Sequence, residues 1–526
     1  MRIQTFDTTL RDGTQGEAIS FSVDDKILIA RKLDELGIDY IEGGWPGSNP
    51  RDREFFARAK DLRLNHAKLT AFGSTRFAKN PVHEDRNVRE LLDAETPVIS
   101  IFGKSWDLHV HRALGISEDE NLALISETVR YLKEHGREVV YDAEHFFDGY
   151  VHNRDFALRT LEAAHTAGAD VLCLCDTNGG TATSKLAAIV ADVRAKFGGV
   201  IGIHTHNDCD VAVANTLAAV ENGASHVQGC LNGYGERCGN ANLASVIANL
   251  ELKAGQQTIG GDKLQLLTST ARYIAELANL PVPRGTAFVG QSAFAHKGGI
   301  HVSAVLKDPA TYEHITPELV GNHQRVLVSD LAGRSNVVYK LKQYDPAGLL
   351  NEEARRQLLE RIKETEFRGF DLEAADGTFE LFVLEALHPG KTFFHVEGYE
   401  VVIRAGGANA ADTTHTATVR VTVNGDEHSA TAAGNGPVNA LDVCLRKCLS
   451  ALYPQIGDVR LTDYKVRVLD SGKGTAANVR VLVEWSDGTR SWSTVGVSED
   501  VIEASWEALV SALRLELMRI AAGNQE

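Results

Sequence analysis

The sequence predicts an α/β protein: an eight-stranded (β/α)8 TIM barrel followed by small helical linker subdomains and a C-terminal α+β domain. Three observations carry that reading. Short apolar runs alternate with helix-like segments eight times within roughly the first 280 residues, a usual size for such a barrel. Polar residues gather where each run ends, and barrels of this kind place their chemistry at the carboxyl ends of the strands. Beyond about residue 395 the pattern turns to strands in two similar copies.

The first strand, Ile3 to Thr9, runs into Leu10-Arg11-Asp12-Gly13. Val23 to Leu36 follows as a helix, because Ile27, Ala30, Leu33 and Leu36 form an apolar stripe at helical spacing and Gly37 closes it. The next runs are Tyr40-Ile41, ending in Glu42, then Leu69 to Phe72 and Val98 to Phe102. Val139 to Tyr141 leads into Asp142-Ala143-Glu144-His145, and Val171 to Cys175 into Asp176-Thr177. The seventh strand ends in His204-Thr205-His206-Asn207-Asp208, and the eighth, His226 to Leu231, leads to a glycine-rich turn through Asn240.

Residues two apart on a strand point to the same side, so His204 and His206 face together and suit a divalent metal as well as a buried structural pair. Glu144 shares its parity with Asp142 and Val140, which turns it toward the barrel axis. The glycine-rich run from Gly229 to Gly239 lacks the strand-Gly-x-Gly-x-x-Gly-helix context of a dinucleotide site, and reads as the turn that presents Asn240.

Composition narrows the function classes. A formal net charge of −17 argues against binding nucleic acid or an anionic membrane. No apolar stretch is long enough to cross a bilayer. The first strand begins at once, leaving no room for a signal peptide, and seven scattered cysteines form no disulfide framework. A cytoplasmic enzyme is the expectation.

Three segments carry a family resemblance: Asp7-Thr8-Thr9-Leu10-Arg11-Asp12-Gly13, His204-Thr205-His206-Asn207-Asp208 and Gly235-Glu236-Arg237-Cys238-Gly239-Asn240-Ala241. Together, and in this order, they resemble the signatures of the DRE-TIM metallolyases. Within that superfamily the chain is similar to the condensing 2-isopropylmalate, homocitrate and citramalate synthases over nearly its whole length. Gly44-Trp45-Pro46-Gly47, Phe102-Gly103-Lys104-Ser105-Trp106 and Asp142-Ala143-Glu144-His145 point to the citramalate branch.

That resemblance implies addition of the acetyl-CoA methyl carbon to the ketone of pyruvate, then thioester hydrolysis. It implies a divalent metal on Asp12, His204, His206 and Asn240, a mixed oxygen and nitrogen set compatible with Mg2+, Mn2+ or Zn2+ whose ligand softness does not choose among them; Mg2+ or Mn2+ is the expectation. Arg11 would stabilise the developing alkoxide, or merely form a salt bridge at the barrel mouth. Glu144 would take a proton from the thioester methyl, or only pair with a cation. Thr177 would bind the keto-acid carboxylate, or cap the helix after it. Glu42 and His109 correspond to polar residues of the substrate pocket. His301 and Tyr312 match a catalytic pair that reaches into the partner's active site, implying a homodimer.

The expected domains are the barrel over 1–280, linker subdomains over 281–394 and a regulatory or dimerisation domain over 395–526. In the last, Thr418 to Val423 and Asn478 to Val483 lie about 60 residues apart, each followed by an apolar-striped helix. Two copies are too few for a solenoid and read as paired β-β-β-α modules. The resemblance implies that this domain binds a branched-chain amino acid, here expected to be isoleucine; the alternative is dimerisation without a ligand.

Two other functions compete. A 2-isopropylmalate synthase would need a pocket that admits an isopropyl group. A ligand-sensing protein without turnover would show damaged motifs, and Arg11, Asp12, Glu144, His204, His206, Asn240 and His301 are all present.

Overall fold

A computed structural model of the chain describes residues 2–326, 341, 344–345, 348–372, 374–405, 413–488 and 490–523. Two compact units divide it: Met1–Phe294 with Glu313–Gln324, and Ala295–Tyr312 with Arg325–Glu526. Among the described residues no helix is long and apolar enough to cross a membrane.

The first unit is the expected closed barrel of eight parallel strands: β1 Gln4–Asp7, β2 Tyr40–Gly44, β3 Lys68–Ser74, β4 Val98–Lys104, β5 Glu138–Glu144, β6 Val171–Asp176, β7 Val200–Thr205 and β8 His226–Gly229. β1 closes the ring against β8, with Gln4 opposite His226 and Asp7 opposite Gly229. The barrel interior is a layer that includes Phe6, Val98, Val140, Val171, Cys173 and Cys175. A larger core between strands and outer helices includes Ile29, Leu33, Ile41, Val129 and Ile203.

Local sequence explains the helix boundaries. Ser22 and Asp25 form a reciprocal capping box at the start of helix Val23–Leu36, satisfying two otherwise unpaired N–H groups. Gly37 ends it at φ 94°, a left-handed conformation that glycine adopts without steric cost.

Two strands end earlier than the apolar runs suggest. β1 stops at Asp7 because the Asp7 carboxylate accepts N–H bonds from Thr9 at 2.9 Å and Leu231 at 3.2 Å, which curls the chain into a turn. β8 stops at Gly229, since Leu231 is drawn toward that carboxylate and Leu231–Gly233 forms a 3-10 turn.

In the second unit, β9 Ala295–His296 pairs in parallel with β10 Arg325–Val326. Two helices, Glu352–Phe367 and Asp376–Leu387, follow. The repeat read from the sequence is present as two three-stranded antiparallel sheets. The first comprises β11 His395–Arg404, β12 Thr414–Val423 and β13 Asp426–Gly434, followed by helix Pro437–Leu449. The second comprises β14 Arg460–Val468, β15 Val479–Ser486 and β16 Ser491–Ser498, followed by helix Val501–Gly523. Alternate residues of the central strands, Val419, Val421, Val481 and Val483, are buried with Leu441, Leu445, Leu509 and Leu513 of the helices. Cys444 and Cys448 belong to the same core.

Candidate active site

A cavity of about 230 Å³ opens at the carboxyl end of the barrel strands. Arg11, Asp12, Glu144, Thr177, His204 and His206 line it, as do Gln15, Asp142, Cys175, Glu236 and an aromatic wall of Trp45, Phe72 and Phe102.

Asp12, His204 and His206 are all buried, and one ligand atom from each lies within 4.8 Å of the others. His204 Nε2 stands 3.3 Å from Asp12 Oδ2 and 3.3 Å from His206 Nε2. β7 ends at Thr205, so His206 lies one residue past the strand, yet it keeps the strand's parity through a bridge with Asn240. Asn240 is delivered by the predicted glycine-rich turn. Gly239, at φ 89°, lies so close to the carbonyl of Gly233 that a Cβ would come within 2.1 Å of it.

The donor set fits a hard or borderline divalent ion. Asn240 Nδ2 donates to the carbonyl of Tyr234 at 3.1 Å, while Asn240 Oδ1 is buried without a protein donor. A buried acceptor with no partner costs free energy, and a cation would satisfy it.

A hydrogen-bonded relay orients His204. Ser100 Oγ donates to Asp142 Oδ2 at 2.6 Å, and Gln228 Nε2 donates to Asp142 Oδ1 at 2.9 Å. Gln228 is thereby turned so that its Oε1 faces His204 Nδ1 at 3.0 Å. An amide oxygen only accepts, so Nδ1 carries a proton and Nε2 is the nitrogen that faces Asp12 and His206, donating to Asp12 when the ring is charged and offering a lone pair when it is neutral.

The charges at the site are strongly coupled. Burial would raise the Asp12 carboxyl, but Arg11 and the hydrogen bond from His204 outweigh it and hold Asp12 well below the usual range. Burial opposes charge on His204, yet the bond and charge of Asp12 move it upward. Burial and the neighbouring His204 push His206 down to about 3, so it stays neutral with a lone pair to offer.

Arg11 forms the barrel-mouth salt bridge and also faces the cavity. Its Nε donates to Glu42 Oε2 at 2.6 Å, its guanidinium lies 3.8 Å from the centre of the Phe72 ring, and it lines the cavity. Glu42 is fully buried, and burial outweighs the attraction of Arg11 to lift its carboxyl to about 7.

Glu144 lines the cavity and pairs with Lys104 at the end of β4, so the cation beside it is Lys104 rather than Arg11. Thr177 does not cap the helix that follows, whose N-cap is Ala182. Its hydroxyl accepts the backbone N–H of His145 at 2.9 Å, leaving the hydroxyl proton free to donate into the cavity. His145 reaches it from a left-handed conformation at φ 57°.

His109 does not line the cavity; its ring lies 5.2 Å from Trp106 and 4.3 Å from His145. His301 and Tyr312 belong to the second unit, where their rings stack at 4.3 Å and both are exposed. Cys209 and Cys238 are exposed and belong to neither the cavity nor the metal cluster.

Sequence reasoning assigned no role to Gln228, Ser100, Lys104 or the aromatic wall. Strand parity was the available signal: Ser100 and Gln228 are polar residues inside otherwise apolar runs.

Comparisons with known proteins bear on this geometry. Residues 2–274 match the HMGL-like family, a divalent-metal-dependent group. Residues 288–369 match a homocitrate synthase post-HMGL domain-like family, and 373–516 the LeuA allosteric (dimerisation) domain. An (R)-citramalate synthase of Aquifex aeolicus is 51% identical over 519 residues, covering 98% of each chain. One of Geobacter sulfurreducens is 52% identical, covering 98% of this chain and 97% of the relative. The chain belongs to the (R)-citramalate synthase family. A 2-isopropylmalate synthase of Listeria innocua, covering 97% of this chain and 96% of its own, is 32% identical.

Proposed function

We propose that this protein condenses acetyl-CoA with pyruvate and hydrolyses the resulting thioester, releasing (R)-citramalate and CoA. The observation that carries the reading is the convergence of Arg11, Asp12, Glu144, His204 and His206 on one small aromatic-walled cavity, in a chain half identical to (R)-citramalate synthases over full length.

Asp12, His204, His206 and Asn240 would hold a divalent ion, for which we propose Mg2+ or Mn2+. Bound there, the ion supplies Lewis-acid polarisation of the 2-oxo group. The protein's own groups do the rest. Arg11, fixed between Glu42 and the Phe72 ring, meets negative charge developing on the ketone oxygen. Thr177 donates its free hydroxyl proton to the keto-acid carboxylate. Glu144 removes a proton from the acetyl methyl group, and Lys104 holds its carboxylate in place. Trp45, Phe72 and Phe102 bound the space beside the ketone and suit a methyl substituent.

The reading includes a homodimer, supported by the dimerisation-domain match, with His301 and Tyr312 serving the partner's cavity. Isoleucine is the proposed effector of the repeated modules.

The test is CoA release from acetyl-CoA with Mn2+ or Mg2+, comparing pyruvate, 2-oxoisovalerate and no keto acid. Pyruvate-dependent release with citramalate as product is expected. Preference for 2-oxoisovalerate would make the chain an isopropylmalate synthase, and no release with any keto acid would overturn the enzymatic reading.

A further inference from the structure

The glycine-rich turn after β8 presents two charged side chains in succession, Glu236 and Arg237. Glu236 lines the catalytic cavity, and Arg237 does not. Its guanidinium reaches instead to the turns after β6 and β7. Nε and Nη2 donate to the two carboxylate oxygens of Asp208, at 2.7 Å and 3.0 Å, and Nη2 also donates to the main-chain carbonyl of Thr177 at 2.7 Å. One side chain thus joins the ends of three consecutive strands, across sequence gaps of 29 and 60 residues.

The backbone is strained where this side chain starts. Arg237 holds φ 57°, a left-handed conformation that residues with a side chain disfavour and that persists where the surroundings over-determine it. Stability is a poor account of the arrangement, because Arg237 is exposed and exposed ion pairs contribute little.

Direction is a better one. Thr177 is gripped from two sides: His145 donates its backbone N–H to the hydroxyl, and Arg237 donates to the carbonyl. A planar guanidinium fork fixes angle as well as distance, which a flexible ammonium does not. With peptide and hydroxyl oxygen both held, the hydroxyl proton is left to donate into the cavity that Thr177 lines.

The metal cluster has ties of its own. His206 bridges to Asn240, the N–H of His206 donates to the carbonyl of Asp176 at 3.3 Å, and the N–H of Asn207 donates to the carbonyl of Gly239 at 2.9 Å. Backbone bonds therefore register the turn after β7 against those after β6 and β8, and what Arg237 adds is its hold on the Thr177 peptide.

We propose that Arg237 is a positioning residue for the 2-oxo acid, acting through Thr177 to orient the hydroxyl that receives the substrate carboxylate, with Asp208 setting the guanidinium. The assignment rests on the functional reading above and adds a residue that touches no reacting group.

Arg237→Gly tests it in the full-length protein, since glycine suits φ 57° and the turn can keep its backbone. The KM for pyruvate should rise about tenfold and kcat fall about tenfold, while the KM for acetyl-CoA and the calorimetric Kd for Mn2+ stay within twofold of the parent. Arg237→Lys keeps a charge beside Asp208 but lacks the fork, and should resemble Arg237→Gly. Added guanidinium ion should restore part of the pyruvate efficiency of Arg237→Gly and none of that of Arg237→Lys. Asp208→Asn should have a smaller effect and add little on top of Arg237→Gly, because the two act as one unit.

Unchanged pyruvate kinetics in Arg237→Gly would overturn the proposal. A parallel change in Mn2+ affinity, KM for acetyl-CoA and Tm would also overturn it, marking a brace for the whole barrel mouth, and so would full activity in Arg237→Lys, which marks charge rather than direction. If the parent releases no CoA with any 2-oxo acid, the functional reading fails instead. Calorimetry with pyruvate on the Mn2+-loaded parent and Arg237→Gly then decides the role of Arg237: weaker binding in the variant supports it, and equal affinity, or none in either, overturns it.

Discussion

Replacing Gln228 with leucine isolates what the relay behind His204 contributes. The substitution keeps side-chain volume roughly constant and deletes two hydrogen bonds, the 3.0 Å contact to His204 Nδ1 and the 2.9 Å contact to Asp142 Oδ1. All three residues are buried, so an imidazole N–H and a carboxylate oxygen lose their partner where water cannot replace it. Each loss costs about 1–3 kcal/mol, and burying the leucine offsets about 1.5–3 kcal/mol of the sum. The barrel should thus lose roughly 1–3 kcal/mol, read as a fall of several degrees in Tm.

The larger signature is in the metal site. Without an acceptor at Nδ1, His204 populates both tautomers, and only one leaves Nε2 free. Loss of such an outer partner weakens metal binding by about 10–100-fold, or roughly 1.4–2.7 kcal/mol. Calorimetric titration of the apoprotein with Mn2+ measures the affinity, and 15N shifts of selectively labelled histidine report the tautomer without turnover. Ser100→Ala, which breaks only the outermost link to Asp142, should lie between wild type and Gln228→Leu. An unchanged Mn2+ affinity together with an unchanged His204 tautomer in Gln228→Leu would refute the relay.

Other expectations can be checked in parallel. Glu144→Gln should lower kcat by about 10²–10⁴-fold with pyruvate binding intact by calorimetry, whereas an unaltered rate removes Glu144 from the chemistry. Glu42 titrates at about 7 in the folded chain against 4.5 normally, so its contribution to stability is full below about pH 4.5 and is lost as pH rises through about 7. Glu42→Gln should flatten the stability profile in that window, and a wild-type slope in the variant would contradict the assignment. Phe72→Ala, by opening the aromatic wall, should improve 2-oxoisovalerate relative to pyruvate by about 1–3 kcal/mol in kcat/KM; no shift would place the selectivity elsewhere. Inactive His301→Ala and inactive Arg11→Ala subunits should regain partial activity when mixed, and failure after proven subunit exchange would count against shared sites.

The barrel was legible because every strand is a short apolar run closed by a polar residue, and period two settles which side each residue faces. The same rule put His204 and His206 on one side of their strand and turned Glu144 toward the barrel axis without coordinates, and the repeat of Thr418 to Val423 in Asn478 to Val483 announced the two β-β-β-α modules. Order along one chain and parity along one strand are local properties, so a linear string records them.

What lay beyond the string were pairings between strands. Arg11 and Glu42 are 31 residues apart, Glu144 and Lys104 are 40, and Gln228 and Asp142 are 86. Their meeting depends on the stagger of parallel strands around a closed barrel, which sequence distance does not encode. The strand ends β1 and β8 were misjudged for the same reason, since the Asp7 carboxylate that terminates both reaches Leu231 across the ring closure. The residue types of the site were therefore written in the sequence. Which cation faces the base, which nitrogen of His204 carries the proton and which aromatic rings wall the cavity were decided by the tertiary structure, because only closure of the barrel brings those groups within a hydrogen bond or a ring contact of each other.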